Sequence, residues 1–176
     1  MRILGIDPGS NATGYGVVEQ SGSRVVYLAH GTIRTPSRRP LSQRLAAIQS
    51  ELRQAIAEHR PDRAVVERVF VSVNPRSALV LGHARGAILA TLGGEEIPVD
   101  ELAAREIKKA VTGVGSADKH QVQTMVAKLL KLSSPPAQDA ADALAAAIAR
   151  AQMGRLAGLG VGRRRSRRDL VPRTTP

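Results

Sequence analysis

The sequence predicts an α/β protein: a mixed five-stranded sheet, three antiparallel strands and then βα units, with helices on both faces. Two observations carry that expectation. The first 34 residues read as three consecutive strands with turn residues between them. From Leu41 onward, helical spacing alternates with short apolar runs, the pattern of crossover units.

Residues 2–7 form an apolar strand that ends in Asp7, ahead of Pro8 and Gly9. Residues 14–20 (GYGVVEQ) and 24–34 (RVVYLAHGTIR) are rich in β-branched side chains and joined by Ser-Gly-Ser, a hairpin signal. Residues 35–40 are a linker of Pro and Arg. Leu41, Leu45, Ile48, Leu52 and Ile56 recur at helical spacing over 41–59, and Pro61 stops that helix. Residues 63–67 (RAVVE) read as a short buried strand ending in Glu67. A second helix covers 77–92 and a fifth strand covers 95–100 (EEIPVD). A short helix spans about 101–111, followed by the turn TGVGS. Val122, Met125, Val126, Leu129 and Leu130 then mark an amphipathic helix. Pro135 and Pro136 introduce an Ala-rich helix to about Met153. The rest is Gly- and Arg-rich, the composition of a disordered tail, so the sequence divides into a domain at 1–153 and a tail at 154–176. No internal repeat is present.

Twenty-six Lys and Arg against 15 Asp and Glu give a net charge of +11, which points to a polyanion such as nucleic acid. From Ala151 onward seven Arg face the single Asp169, a net of +6, which leaves +5 on residues 1–150. The body is basic without its tail. The absence of cysteine excludes disulfides and thiolate metal sites and fits a reducing cytoplasm. The N-terminal apolar run is too short for a signal peptide, and no run is long enough to span a membrane. His30, His59, His83 and His120 are too scattered for a metal motif, and no Ser/His hydrolase signature is present.

An unpaired buried charge is expensive, so Asp7 is either solvated at its strand end or holds something positive. Glu67 poses the same question at the end of the fourth strand. Asp139 and Asp142 share one face of the Ala-rich helix, whose alanines let it lie close to a sheet. Each acid has an ordinary explanation: a turn cap for Asp7, an ion pair with Arg68 for Glu67, favourable placement near a helix N-terminus for the Asp pair. Strand-end acids nevertheless gather at the crevice of an open α/β sheet. Four meeting there would repel one another unless a cation neutralised them, and oxygen-only ligands favour Mg²⁺ or Mn²⁺. On a basic protein such a cluster suits phosphodiester hydrolysis with two Mg²⁺ ions.

The segments GIDPGSNATGYGVVE, VVERVFVSVNPRSALVLGHARGA, AAREIKKAVTGVGSADKHQV and DAADALAAAI resemble, in order and over about residues 1–153, the RuvC family of Holliday-junction resolvases, in the ribonuclease-H-like superfamily. The resemblance implies a ribonuclease-H-like fold and assigns metal binding and catalysis to Asp7, Glu67, Asp139 and Asp142. It implies a homodimer that nicks two opposed strands of a four-way DNA junction and leaves ligatable ends, in recombination and repair. The partner implied is a branch-migration motor complex of the RuvAB type. It also implies DNA contacts. Phe70, the only Phe, follows Glu67 and would stack on bases. Lys108 and Lys119 flank the TGVGS turn and would hold phosphate, the turn with Gly113, Gly115 and Ser116 offering backbone N–H groups beside a helix start. Arg76, just before the second helix, is a further DNA contact.

Ala78, Gly82, Gly86 and Ala90 make one nearly bare stripe on the second helix. It packs either on the chain's own sheet or in a dimer seam, and the resemblance favours the seam. The Arg-rich tail lies outside the resemblance and either adds nonspecific DNA affinity or touches the branch-migration partner. Two other classes compete. Actin-like ATPases and sugar kinases share the acid followed by a Gly-rich turn, but need two such subdomains. A non-catalytic DNA-binding module on the same fold would make the acids structural.

Overall fold

The computed structural model describes residues 1–68 and 74–160, with side chains through Met153. Its elements run β1 (Arg2–Asp7), β2 (Ala12–Ser21), β3 (Arg24–Arg34), α1 (Leu41–His59), β4 (Arg63–Arg68), α2 (Pro75–Gly94), β5 (Val99–Ala103), α3 (Ala104–Thr112), α4 (Lys119–Leu130) and α5 (Gln138–Gly160). They build one sheet in the order β3-β2-β1-β4-β5. The first three strands are antiparallel, and β1, β4 and β5 run parallel.

Strand alternation sorts the core into two layers. Leu4, Ile6, Val17, Ile33, Ala64 and Val66 face α1 and α2. Ile3, Val18, Val65 and Leu102 face α3, α4 and α5. Asp7 and Glu67 follow the parity of the second set, so both carboxylates project on the α5 side.

The departures from the sequence expectation are largest at the fifth strand, which also moves the start of α3 from about 101 to Ala104, and at the end of α5. The fifth strand lies at Val99–Ala103, not at 95–100. The cause is Pro98, which has no N–H to give to a ladder. Ahead of it α2 runs on to Gly94, Glu96 takes a left-handed φ of 54°, and the Ile97 N–H turns back to the Leu92 carbonyl. Pairing begins where the Pro98 carbonyl accepts from the Ala64 N–H at 2.9 Å. Helix α5 continues to Gly160 and does not end near Met153. Residues 161–176, most of the expected tail, lie outside the described residues, as does Phe70.

Helix α5 lies unusually close to the sheet, and glycine is the reason. A Cβ at Gly5 would stand 2.0 Å from the Ala143 carbonyl oxygen, one at Gly14 1.9 Å from that of Asp139, and one at Gly16 2.6 Å from the Leu144 side chain. Alanines 140, 141, 143, 145, 146, 147, 149 and 151 are buried all round the helix, between the sheet on one side and α3 and α4 on the other. Bare backbone on the strands thus meets helix backbone and the Leu144 side chain, and the first turn of α5 settles over the end of β1.

Candidate active site

Asp7 pairs with Gly14 in the β1–β2 ladder, and Ile6 pairs with Val66, so Asp7 and Glu67 end adjacent parallel strands. The first turns of α5 bring Asp139 and Asp142 over them. A crevice of about 250 Å³ is lined by Asp7, Glu67 and Asp142 together with Lys108, Lys119, Ala104, Ile107 and Val122.

Electrostatics tie the four acids together. Desolvation, followed by Glu67, Asp142 and Asp139, pushes the Asp7 carboxyl up to about 8, against the pull of Lys119. Glu67 is raised by burial and by Asp142, with Lys108 and Lys119 opposing. Asp142 is raised by burial and then by Asp139, although Lys119, a hydrogen bond from Gln138 and Lys108 all favour its charged form. Crowded, half-desolvated carboxylates of this kind take up protons when no stronger positive charge is at hand.

Among the described residues no three Asp, Glu, His or Cys side chains stand in a finished metal cage. The donor set still fits a hard divalent cation. It is all oxygen, it carries more negative charge than its two lysines balance, and the raised affinity of Asp7 for a proton is an affinity for positive charge. The residues that would hold such an ion are Asp7, Glu67, Asp139 and Asp142.

The ordinary explanations for Glu67 and Asp7 find no support in the bonding, whereas Asp139 does lie in the first turn of α5, where a helix start favours an acid. Arg68 does not pair with Glu67; its guanidinium donates to the Glu101 carbonyl at 3.2 Å. The turn after Asp7 is closed by the Thr13 hydroxyl, which donates to the Gly9 carbonyl at 3.0 Å.

The expected DNA contacts separate into two groups. Lys108, half-buried on α3, and Lys119, the first residue of α4, both reach the crevice. Beside it, a larger open groove of about 1070 Å³ is lined by Arg105, Lys108, Lys109, Gly113, Gly115 and Ser116. Arg105 and Lys109 extend the basic path beyond the two lysines that sequence singled out. The start of α4 is already capped: Asp118 accepts from the Gln121 N–H at 2.8 Å, and Gln121 returns the bond at 2.9 Å. Arg76 is exposed at the start of α2, where its N–H donates to the Asn74 side chain, and it does not line the crevice.

Helix α2 buries Ala84, Ile88, Thr91 and Leu92. The stripe is on the other side: Gly82, Gly86 and Ala90 are exposed, Ala78 is half-buried, and a Cβ at either glycine would meet nothing within 4 Å. Packing on the chain's own sheet therefore does not explain these residues.

A mixed sheet in this order, with acids at the ends of its two central strands and a helix laid across them, defines the ribonuclease-H-like class. The particular family follows from comparison. The family model described as crossover junction endodeoxyribonuclease RuvC matches residues 3–150. The chain belongs to that family. It is 51% identical over 154 residues to the RuvC of Herminiimonas arsenicoxydans, covering 88% of this chain and 85% of that one. With the RuvC of Bordetella avium (strain 197N) it shares 53% over 156 residues, 89% and 86% of the two chains. Among solved structures, Thermus thermophilus RuvC in complex with a Holliday junction substrate aligns with a TM-score of 0.84 at 31% identity, over 89% of this chain and 96% of that one. The yeast mitochondrial resolvase Ydc2, 14% identical with a TM-score of 0.60 over 90% and 85% of the two chains, shares the fold. No helix among the described residues is long and apolar enough to cross a membrane.

Proposed function

We propose that this chain is a crossover junction endodeoxyribonuclease that resolves four-way DNA junctions by hydrolysing one phosphodiester in each of two opposed strands, in recombination and repair in the cytoplasm. The observation that carries the reading is the meeting of Asp7, Glu67 and Asp142 in one crevice faced by Lys108 and Lys119, with Asp139 near enough to raise the Asp7 carboxyl.

The chain's own groups divide the work. Water is taken as the nucleophile: the described crevice lining offers no Ser, Thr, Cys or His, and its carboxylates are assigned to the metal. Lys108 and Lys119 draw the scissile phosphate in and offset its charge. Arg105 and Lys109 carry the flanking backbone along the adjoining groove. The four carboxylates would hold two Mg²⁺ ions, for which Mn²⁺ substitutes. Bound there, the metal supplies an acidified water and charge stabilisation for the leaving oxygen. Ile107, Val122 and Ala104 wall the crevice with apolar surface, which strengthens each of these interactions.

We infer a homodimer through the bare stripe of α2, because two symmetry-related sites account for paired nicks. Phe70 is placed by sequence shortly after Glu67 and is proposed to stack on junction bases, with Arg76 contacting DNA nearby. A motor complex of the RuvAB type is the proposed partner, and the Arg-rich end of the chain, from 154 onward, a candidate for touching either it or DNA.

The test is an end-labelled synthetic four-way junction incubated with the protein in Mg²⁺ or in EDTA, beside a matching linear duplex. Nicks on opposed strands of the junction alone, abolished by EDTA, are expected. Binding without cutting in Mg²⁺ and in Mn²⁺ would favour a non-catalytic junction-binding module on the same fold.

A further inference from the structure

Arg44 is the one charged residue that the fold buries among the described residues, 8% exposed. It lies in the first turn of α1, four residues before Ile48 on the same inward stripe. Its Nη2 donates to the Ser10 carbonyl and to Asn11 Oδ1, the latter at 3.2 Å. Its Nε is buried without a hydrogen-bond partner. It takes part in none of the ion pairs formed among the described residues. A guanidinium desolvated against neutral acceptors is costly, so the fold gives up stability to hold this turn. Thr35 grips the same turn from the end of β3: its hydroxyl donates to the same Ser10 oxygen at 3.0 Å, and its N–H to the Asn11 carbonyl at 2.8 Å.

What Arg44 grips is the chain leaving Asp7. The carbonyls of Gly9, Ser10 and Asn11 all accept bonds from within the protein: Gly9 from Thr13, Ser10 from Arg44 and Thr35, Asn11 from Thr35. Arg44 reaches this turn from the α1 side of the sheet, while Asp7 projects on the α5 side. The charges bearing on Asp7 are Glu67, Asp142, Asp139 and Lys119, not Arg44, so any effect of Arg44 on the site passes through the turn.

We propose that Arg44 is a positioning residue for strand cutting: it holds the Gly9–Asn11 turn fixed behind Asp7, with the carbonyl of Ser10 drawn toward α1 and away from an incoming phosphodiester. This rests on the nuclease reading above. A displaced turn would move the substrate relative to the carboxylates, and an error of about 1 Å at a reacting centre costs about 100-fold in rate.

The experiment compares the full-length wild type with Arg44→Met, Arg44→Lys and Thr35→Val. Three quantities are read: single-turnover cutting of a saturating four-way junction in Mg²⁺, junction affinity in Ca²⁺, and amide exchange of residues 9–13 in the metal-free protein. Arg44→Met is expected to cut about 100-fold more slowly with junction affinity within about twofold, and to exchange the turn amides faster while α1 amides keep their protection. Arg44→Lys keeps one donor and falls between. Thr35→Val is nearly isosteric and keeps the charge; it shows the same pattern more weakly, and with Arg44→Lys it carries the test if Arg44→Met fails to fold. Wild-type cutting with unchanged cutting or unchanged turn exchange in Arg44→Met overturns the inference alone. A loss of cutting that only tracks lost junction affinity overturns it too. A wild type that binds and never cuts overturns the nuclease reading, and this inference with it.

Discussion

The α-carbon of Gly14 sits directly beneath the carbonyl of Asp139, so close that a methyl group there would stand 1.9 Å from that oxygen. This contact sets the height of α5 above the sheet at the level of the active site. Gly14 is the ladder partner of Asp7, and Asp139 opens the acidic face of the helix. One residue pair therefore joins the strand-borne acid to the helix-borne ones.

Gly14→Ala tests that link. Backbone opposes the new methyl from the helix side, so α5 has to lift. Stability should fall by about 1–3 kcal/mol, the usual range for overpacking. Cutting should fall far more than junction binding, because the carboxylates separate. Urea unfolding and single-turnover cleavage measure the two effects. Gly82→Ala is the control, since the same methyl there meets nothing within 4 Å.

The raised carboxyl of Asp7 makes a pH prediction with a definite sign. Its folded pKa of about 8 exceeds its ordinary value of 3.8, so its contribution to stability is full below 3.8 and is lost as pH rises toward 8. Metal-free protein should therefore become less stable across that window, and Asp7→Asn should flatten the slope. Asp100 works the other way. Despite some desolvation, hydrogen bonds from Arg150 and Arg63 hold it below its ordinary value, so its contribution is present above 3.8 and lost on acidification below. Thermal melts from pH 3 to 9 in EDTA separate the two. Added Mg²⁺ should restore stability most at the alkaline end, where no proton competes for Asp7.

The bare stripe of α2 predicts an oligomer change without loss of fold. Gly86→Leu fills a position that is open in the single chain, and replacing a mid-helix glycine stabilises the helix by about 0.5–1 kcal/mol. Sedimentation equilibrium should shift from dimer to monomer while the melting temperature holds or rises. A variant that stays dimeric would remove α2 from the seam.

Much of this arrangement was legible in the sequence, because periodicity and strand-end acids are local signals. The strands at 2–7 and 24–34 and the helix at 41–59 fall where their patterns put them. The four acids could be grouped because Asp7 and Glu67 each close an apolar run and Asp139 and Asp142 share a helix face. What stayed hidden was pairwise. Gly5, Gly14 and Gly16 look like turn or spacer residues until the ladder register and α5 are both known. Arg44 reads as one more cation on a charged helix, although its spacing from Ile48 does place it on the inward stripe. The fifth strand was misplaced because EEIPVD has strand-like composition, while Pro98 delays pairing to Val99.

The most direct measurement of the central claim is Asp7→Asn on the four-way junction. The substitution keeps size and polarity and removes one carboxylate from the crevice. The account predicts junction affinity close to wild type, cutting reduced at least about 100-fold in Mg²⁺, and weakened Mn²⁺ binding in calorimetry of the free protein. Full cutting by Asp7→Asn, or unchanged Mn²⁺ binding, would contradict the assignment of Asp7 and its neighbours as the metal-holding centre.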